Sequence, residues 1–167
     1  MNTANLKLKI QNGEFDNSFN FLYGESENAS CRYIKALDSF FEIFGDRDNI
    51  RLFSAPGRTE IGGNHTDHQL GSIVAGAVDL DVIAVVSAND EGVIRIKSAG
   101  YPMDEVSCDD LDVKAEEEGR SKAIIRGIAA RFKELGYNVG GFDATTASQV
   151  LSGSGLSSSA AFEVLVC

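Results

Sequence analysis

Two short stretches concentrate the side chains that could do chemistry. The first is Ala55-Pro-Gly-Arg-Thr-Glu-Ile-Gly-Gly-Asn-His-Thr-Asp-His68, which crowds Arg58, Glu60, Asn64, His65, Asp67 and His68 into eleven residues. Carboxylates, an amide and imidazoles together suit a polyhydroxylated ligand, because each hydroxyl both donates and accepts a hydrogen bond. A metal site from His65, Asp67 and His68 is disfavoured: the spacing fits no familiar zinc pattern and no cysteine is near. Asp67 or Asn64 bonding local backbone in a capped turn is compatible with ligand recognition. The second stretch is Gly153-Ser-Gly-Leu-Ser-Ser-Ser-Ala-Ala161, between an apolar strand pattern and an apolar helix pattern. Glycines give a tight turn with room beside it. Serines then stand where a helix start presents unpaired N–H groups, the construction of a phosphate site. No Gly-Lys-[Ser/Thr] follows and no dinucleotide fingerprint is present. The residues alone leave a ligand-free turn and a phosphate cradle both open.

The elements that must position these stretches follow from periodicity. Residues 1–25 are ambiguous: Leu6, Leu8 and Ile10 alternate, and Phe15, Phe19 and Phe21 follow. Glu27–Phe44 has helical spacing, with Ser26 or Asn28 to cap its start and Gly45 its end. Ile50–Ala55 predicts a strand stopped at Pro56-Gly57, and residues 58–71 a polar loop or very short helix. Ser72–Val78 and Leu80–Ser87 are β-rich, Asn89–Gly92 has hairpin-turn composition, and Val93–Ser98 alternates as a strand. Arg120–Leu135 is an amphipathic helix ended by Gly136. Phe142–Leu151 is a strand leading into the Gly/Ser loop. This order predicts an α+β layer and not a doubly wound sheet.

The chain has 167 residues, 43% hydrophobic and 24% charged, enough for one domain with a core. Its formal net charge of −10 argues against nucleic acid or an anionic membrane as partner. Asp109, Asp110, Asp112 and Glu116–Glu118 read as a solvated linker. Cys31, Cys108 and Cys167 are far apart and odd in number, which suits reduced thiols and a cytoplasmic location. The first residues lack a secretory pattern, and no window reaches the roughly 20 apolar residues of a membrane span.

The two stretches, in this order and about ninety residues apart, resemble motifs of the GHMP small-molecule kinases, galactokinases in particular. Gly57-Arg58, Gly63 and His65-Thr66-Asp67 match the first galactokinase motif. Glu60 stands where asparagine is usual, Asn64 where the sugar-binding glutamate is usual, and His68 where tyrosine is common. The residue at Asn64 can still bond a hydroxyl, though without charge. The resemblance implies an N-terminal GHMP domain with a mixed or antiparallel sheet and helices packed on one side. It implies ATP and magnesium as cofactors and galactose or a related sugar as substrate, phosphorylated at the anomeric hydroxyl. Glu60, Asn64, His65, Thr66 and Asp67 are then the sugar residues, and Arg58 stabilises the transition state. Gly153, Ser154, Gly155, Leu156, Ser157, Ser158 and Ser159 hold the phosphates, Ser159 also binds the metal, and Ser98 lies near the nucleotide. By the same resemblance residues 1–167 are an incomplete, C-terminally truncated N-terminal domain. It lacks the catalytic base and is inactive by itself. The apolar residues Phe162, Val164, Leu165 and Val166 of the last helix need a partner surface, and self-association is expected to supply it. A sugar- or ATP-binding sensor on this scaffold, a GHMP kinase for another substrate, and a fragment without ligand function stay open as alternatives.

Overall fold

The long apolar run after Ile73 forms the spine of a five-stranded sheet. The computed structural model describes residues 1–63, 70–151 and 153–167. Strand β2, Val74–Asn89, pairs antiparallel with β1, Arg51–Gly62, in a register that sets Phe53 opposite Ala84. The remaining strands are β3, Val93–Ser98; β4, Met103–Ser107; and β5, Gly141–Ser148. Sheet order is β1-β2-β5-β3-β4, with β5 antiparallel to β2 and parallel to β3.

The Asn89–Gly92 turn therefore does not close a hairpin between its own flanking strands, as its composition predicts. The turn chemistry is real: Asn89 accepts the Glu91 N–H (3.1 Å) and donates to the Val93 carbonyl (3.0 Å). Turn composition is a local signal, however, and β5 has entered the slot between β2 and β3. Gly141 permits this entry, because a Cβ there would collide with Asn89 Oδ1 and come within 2.6 Å of the Val93 nitrogen. Behind it, fully buried Asp143 accepts from Asn89 and Arg95 (3.1 Å each), linking the three strands. An unpaired carboxylate in that position would be costly.

Five α-helices cover the sheet: α1 Thr3–Gln11, α2 Asp16–Tyr23, α3 Glu27–Phe44, α4 Ser121–Glu134 and α5 Ser158–Val166. The ambiguous first 25 residues are helical. Leu6 and Ile10 are buried four residues apart while Leu8 faces out, so the apparent alternation resolves into a helix stripe. α1–α3 pack with Ile83 and Val85 on one face of the sheet. α4 and α5 pack with Val86, Ile94, Ile96 and Ala144 on the other. Helices thus lie on both sides, correcting the expectation of one. β2 is apolar on both faces, and each face requires cover.

The acidic run before α4 is also corrected in part. Glu116 and Glu118 are exposed, but Glu117 is buried and bound by both ends of the Arg126 fork at 2.7 Å. No helix among the described residues is long and apolar enough to cross a membrane.

Candidate functional site

Arg58 and Glu60 sit on a strand, not on the polar loop expected from residue 58 onward. β1 continues through Pro56 to Gly62, with Arg58 opposite Ala77, Thr59 opposite Gly76 and Glu60 opposite Ala75. β2 extends far enough to offer a ladder, and β1 is an edge strand, where a proline lacking its N–H is tolerated. The register shifts between Pro56 and Arg58 and again between Glu60 and Gly62. Such irregularities re-aim side chains at a sheet edge.

The Gly/Ser loop docks on this strand. The Arg58 N–H donates to the Leu156 carbonyl at 3.0 Å. Leu156 packs into a small apolar cluster of Val82, Val150 and Ala161, which ties the loop to β2 and α5. Gly57 makes the contact possible: a Cβ there would stand 3.1 Å from the Leu156 oxygen and 3.2 Å from Val150 and Val78. Glycine at 57 reads in the sequence as half of a Pro-Gly turn, yet its work is to let the loop backbone approach β1. A glycine directly preceding the polar motif is the only sequence signal of that role.

Inside the loop, Ser154 donates its hydroxyl to the Leu151 carbonyl at 2.7 Å, closing a turn. Gly153 and Gly155 adopt φ of +76° and +78°, and a Cβ on either would meet nothing within 4 Å. The turn needs glycine for its backbone angles and leaves open space beside it. Ser157 precedes α5 in the left-handed region (φ 58°, ψ 52°), and its side chain makes no capping bond. Among the described residues the first N–H groups of α5 have no side-chain acceptor, and the helix dipole stands behind them. Ser158 is half-buried and Ser159 exposed on the first turn.

Arg58 forms an ion pair with Glu60, Nη2 to Oε1 at 3.1 Å. Its Nε is buried and has no hydrogen-bond partner among the described residues. An unpaired buried donor of that kind is a desolvation cost, while the side chain as a whole stays 40% exposed and so open to an anion. The structure therefore brings together Arg58, Glu60 and residues 153–159. It does not bring Ser98 to them by any described contact: Ser98, at the end of β3, accepts the Thr146 hydroxyl at 2.9 Å, a role that serves the sheet. Asn64, His65, Thr66 and Asp67, with His68, lie outside the described residues. Among the described residues no group of three or more His, Cys, Asp or Glu could hold a metal ion.

Comparison with known proteins shows what the chain is similar to. Residues 38–88, which span the end of α3, all of β1 and most of β2, match the galactokinase galactose-binding signature. The galactokinase of Bacillus subtilis (strain 168) is 32% identical over 131 residues, covering 76% of this chain and 33% of that protein. The crystal structure of Lactococcus lactis galactokinase complexed with galactose superposes with a TM-score of 0.71 at 27% identity, covering 77% of this chain and 34% of that one. The chain matches the N-terminal part of a GHMP-family galactokinase. The Methanococcus jannaschii mevalonate kinase, at 17% identity and a TM-score of 0.58 over 72% of this chain and 39% of its own, shares the fold. The galactokinase signature covers the strand that carries Arg58 and Glu60, and the fold match extends over the α+β layer around it. The chain spans about a third of the length of the curated galactokinases it matches.

Proposed function

We propose that this chain supplies the sugar- and nucleotide-gripping part of a galactokinase-like kinase, one that transfers the γ-phosphoryl group of ATP to the anomeric hydroxyl of galactose. The observation that carries this reading is the Arg58 N–H to Leu156 carbonyl bond, which fastens the sugar-motif strand to the phosphate loop. Phosphoryl transfer depends on positioning and charge stabilisation more than on covalent work. The N–H groups of residues 153–159 bind phosphate oxygens, and the part-exposed guanidinium of Arg58 donates to charge developing on the transferring group. Asn64, His65, Thr66 and Asp67, with Glu60 beside them, hold the sugar hydroxyls. Magnesium is a hard cation that prefers oxygen ligands, and the Ser159 hydroxyl offers it one while the nucleotide phosphates supply others. We assign no residue of this chain as catalytic base.

Titration calorimetry of the chain tests this. Mg-ATP binding, with galactose binding beside it, is the expected result, and Arg58→Ala should weaken ATP about tenfold by removing a charge-assisted bond. Absence of any nucleotide binding would leave the loop as a turn without a ligand and refute the proposal.

A further inference from the structure

The pair Arg58–Glu60 has a consequence for how the phosphates are met. We propose that Glu60 is a positioning residue, which fixes the Arg58 guanidinium for a terminal phosphate; this rests on the reading of Arg58 as the phosphoryl-facing cation. Arginine carries a long side chain with much rotamer freedom, and the Arg58 side chain is 40% exposed. Left alone it would sample many orientations, and a bound phosphate would have to order it. Glu60 lies two residues along the same strand, its own side chain only 16% exposed and so held by its surroundings. Its carboxylate engages one end of the guanidinium at 3.1 Å. A planar fork held at one nitrogen has its plane restricted, and its remaining N–H groups are presented in a fixed direction.

Two further observations make this more than a surface ion pair. The backbone from which the guanidinium springs is locked to the loop through Leu156, so the anchor of the fork and the phosphate cradle move together. The Nε–H, the donor nearest that anchor, is buried and unpartnered among the described residues, while Nη2 is taken by Glu60. The buried Nε and the Glu60-bound Nη2 thus fix the fork, and the exposed part of the guanidinium is left for an acceptor. A neutral amide at position 60 could still accept a hydrogen bond from the guanidinium but would lose the attraction between opposite charges.

The test uses the 167-residue chain, with Glu60→Gln, Arg58→Lys and the double variant. Nitrogen-15 NMR of the arginine Nε–H groups reads orientation without any ligand. Calorimetry with ATP and with ADP reads the contribution of the terminal phosphate. The expected result is a slowly exchanging Arg58 Nε–H in the wild type that is lost in Glu60→Gln. The preference for ATP over ADP should fall about tenfold in Glu60→Gln and in Arg58→Lys, with no further fall in the double variant, as for two residues acting as a unit. A simple repulsive role for Glu60 gives the opposite sign: Glu60→Gln would then tighten ATP, which overturns the inference. An unchanged Nε–H signal in Glu60→Gln with ATP binding intact also overturns it and leaves the kinase reading standing. Failure of the wild type to bind ATP or ADP overturns both.

Discussion

Asp81 shows how much a single buried carboxylate can hold in this fold. It is 2% exposed and accepts from Tyr23 and Ser54 at 2.6 Å and from Arg32 at 2.5 Å, joining α2, α3 and β1 to β2. Asp81→Asn replaces an acceptor by a donor facing three donors and strips Arg32 of its counter-charge. The expected cost is about 3 kcal/mol in urea unfolding, the lower end for breaking a buried pair. Glu117 makes a prediction in pH. Its bidentate bond to Arg126 holds the carboxyl below its ordinary value of 4.5. A depressed folded value means that the stabilisation is complete above the unfolded value and is lost as pH falls through the folded one. Unfolding measured from pH 7 down to pH 3 should therefore show the wild type losing stability faster than Glu117→Gln, and equal slopes would refute the assignment. At this scale the sequence was partly readable. Arg58 and Glu60 stand out by type and spacing. Asp81 and Glu117 do not, because an acid in an apolar run or in an acidic run carries no local mark of the cation that a distant helix will bring to it.

At the scale of elements, the critical contact is between β1 and the Gly/Ser loop, and Gly57 governs it. Gly57→Ala would place a methyl against the Leu156 oxygen and the side chains of Val150 and Val78. Either the loop or β1 must give by a few tenths of an ångström, an overpacking cost of about 1–3 kcal/mol. The expected outcome is that ATP affinity falls in step with stability, while Gly62→Ala, where an added Cβ meets nothing within 4 Å, changes stability far less. Thermal unfolding and calorimetry of both variants decide this, and equal losses would remove the loop contact as the cause. Helices α3 and α4 were legible because each has an apolar stripe and a glycine after its end, and α5 because an apolar run follows the Gly/Ser loop. The strand through Arg58–Gly62 was not, since polar residues and a proline resemble a loop until a long partner strand is seen to pair with them. The wrong hairpin at Asn89–Gly92 has the same origin: strand order depends on β5, fifty residues downstream of the turn.

At the scale of the whole molecule, charge and apolar surface act against each other. A cavity of about 640 Å³ lies between the sheet and the last turn of α5, bordered by Phe53, Ala84, Val86, Thr146 and Val164. Phe53 is 45% exposed and Val164 64% exposed, so apolar surface of both the sheet and α5 meets solvent. Exposed apolar surface favours association between copies, whereas a net charge of −10 on each copy opposes it. The balance must then shift with ionic strength. Salt shortens the Debye length from about 30 Å at 0.01 M to about 8 Å at 0.15 M, which screens the repulsion and leaves the hydrophobic attraction in place. Sedimentation velocity of the 167-residue chain should accordingly show mass rising with salt and with protein concentration. Val164→Asp places a charge on the exposed apolar face of α5 and should return the chain to a monomer at every salt concentration. Ionic pairing between copies would reverse the trend, dissociating as salt rises, and a monomeric mass at every salt and protein concentration would show that the α5 surface is not a contact between copies at all.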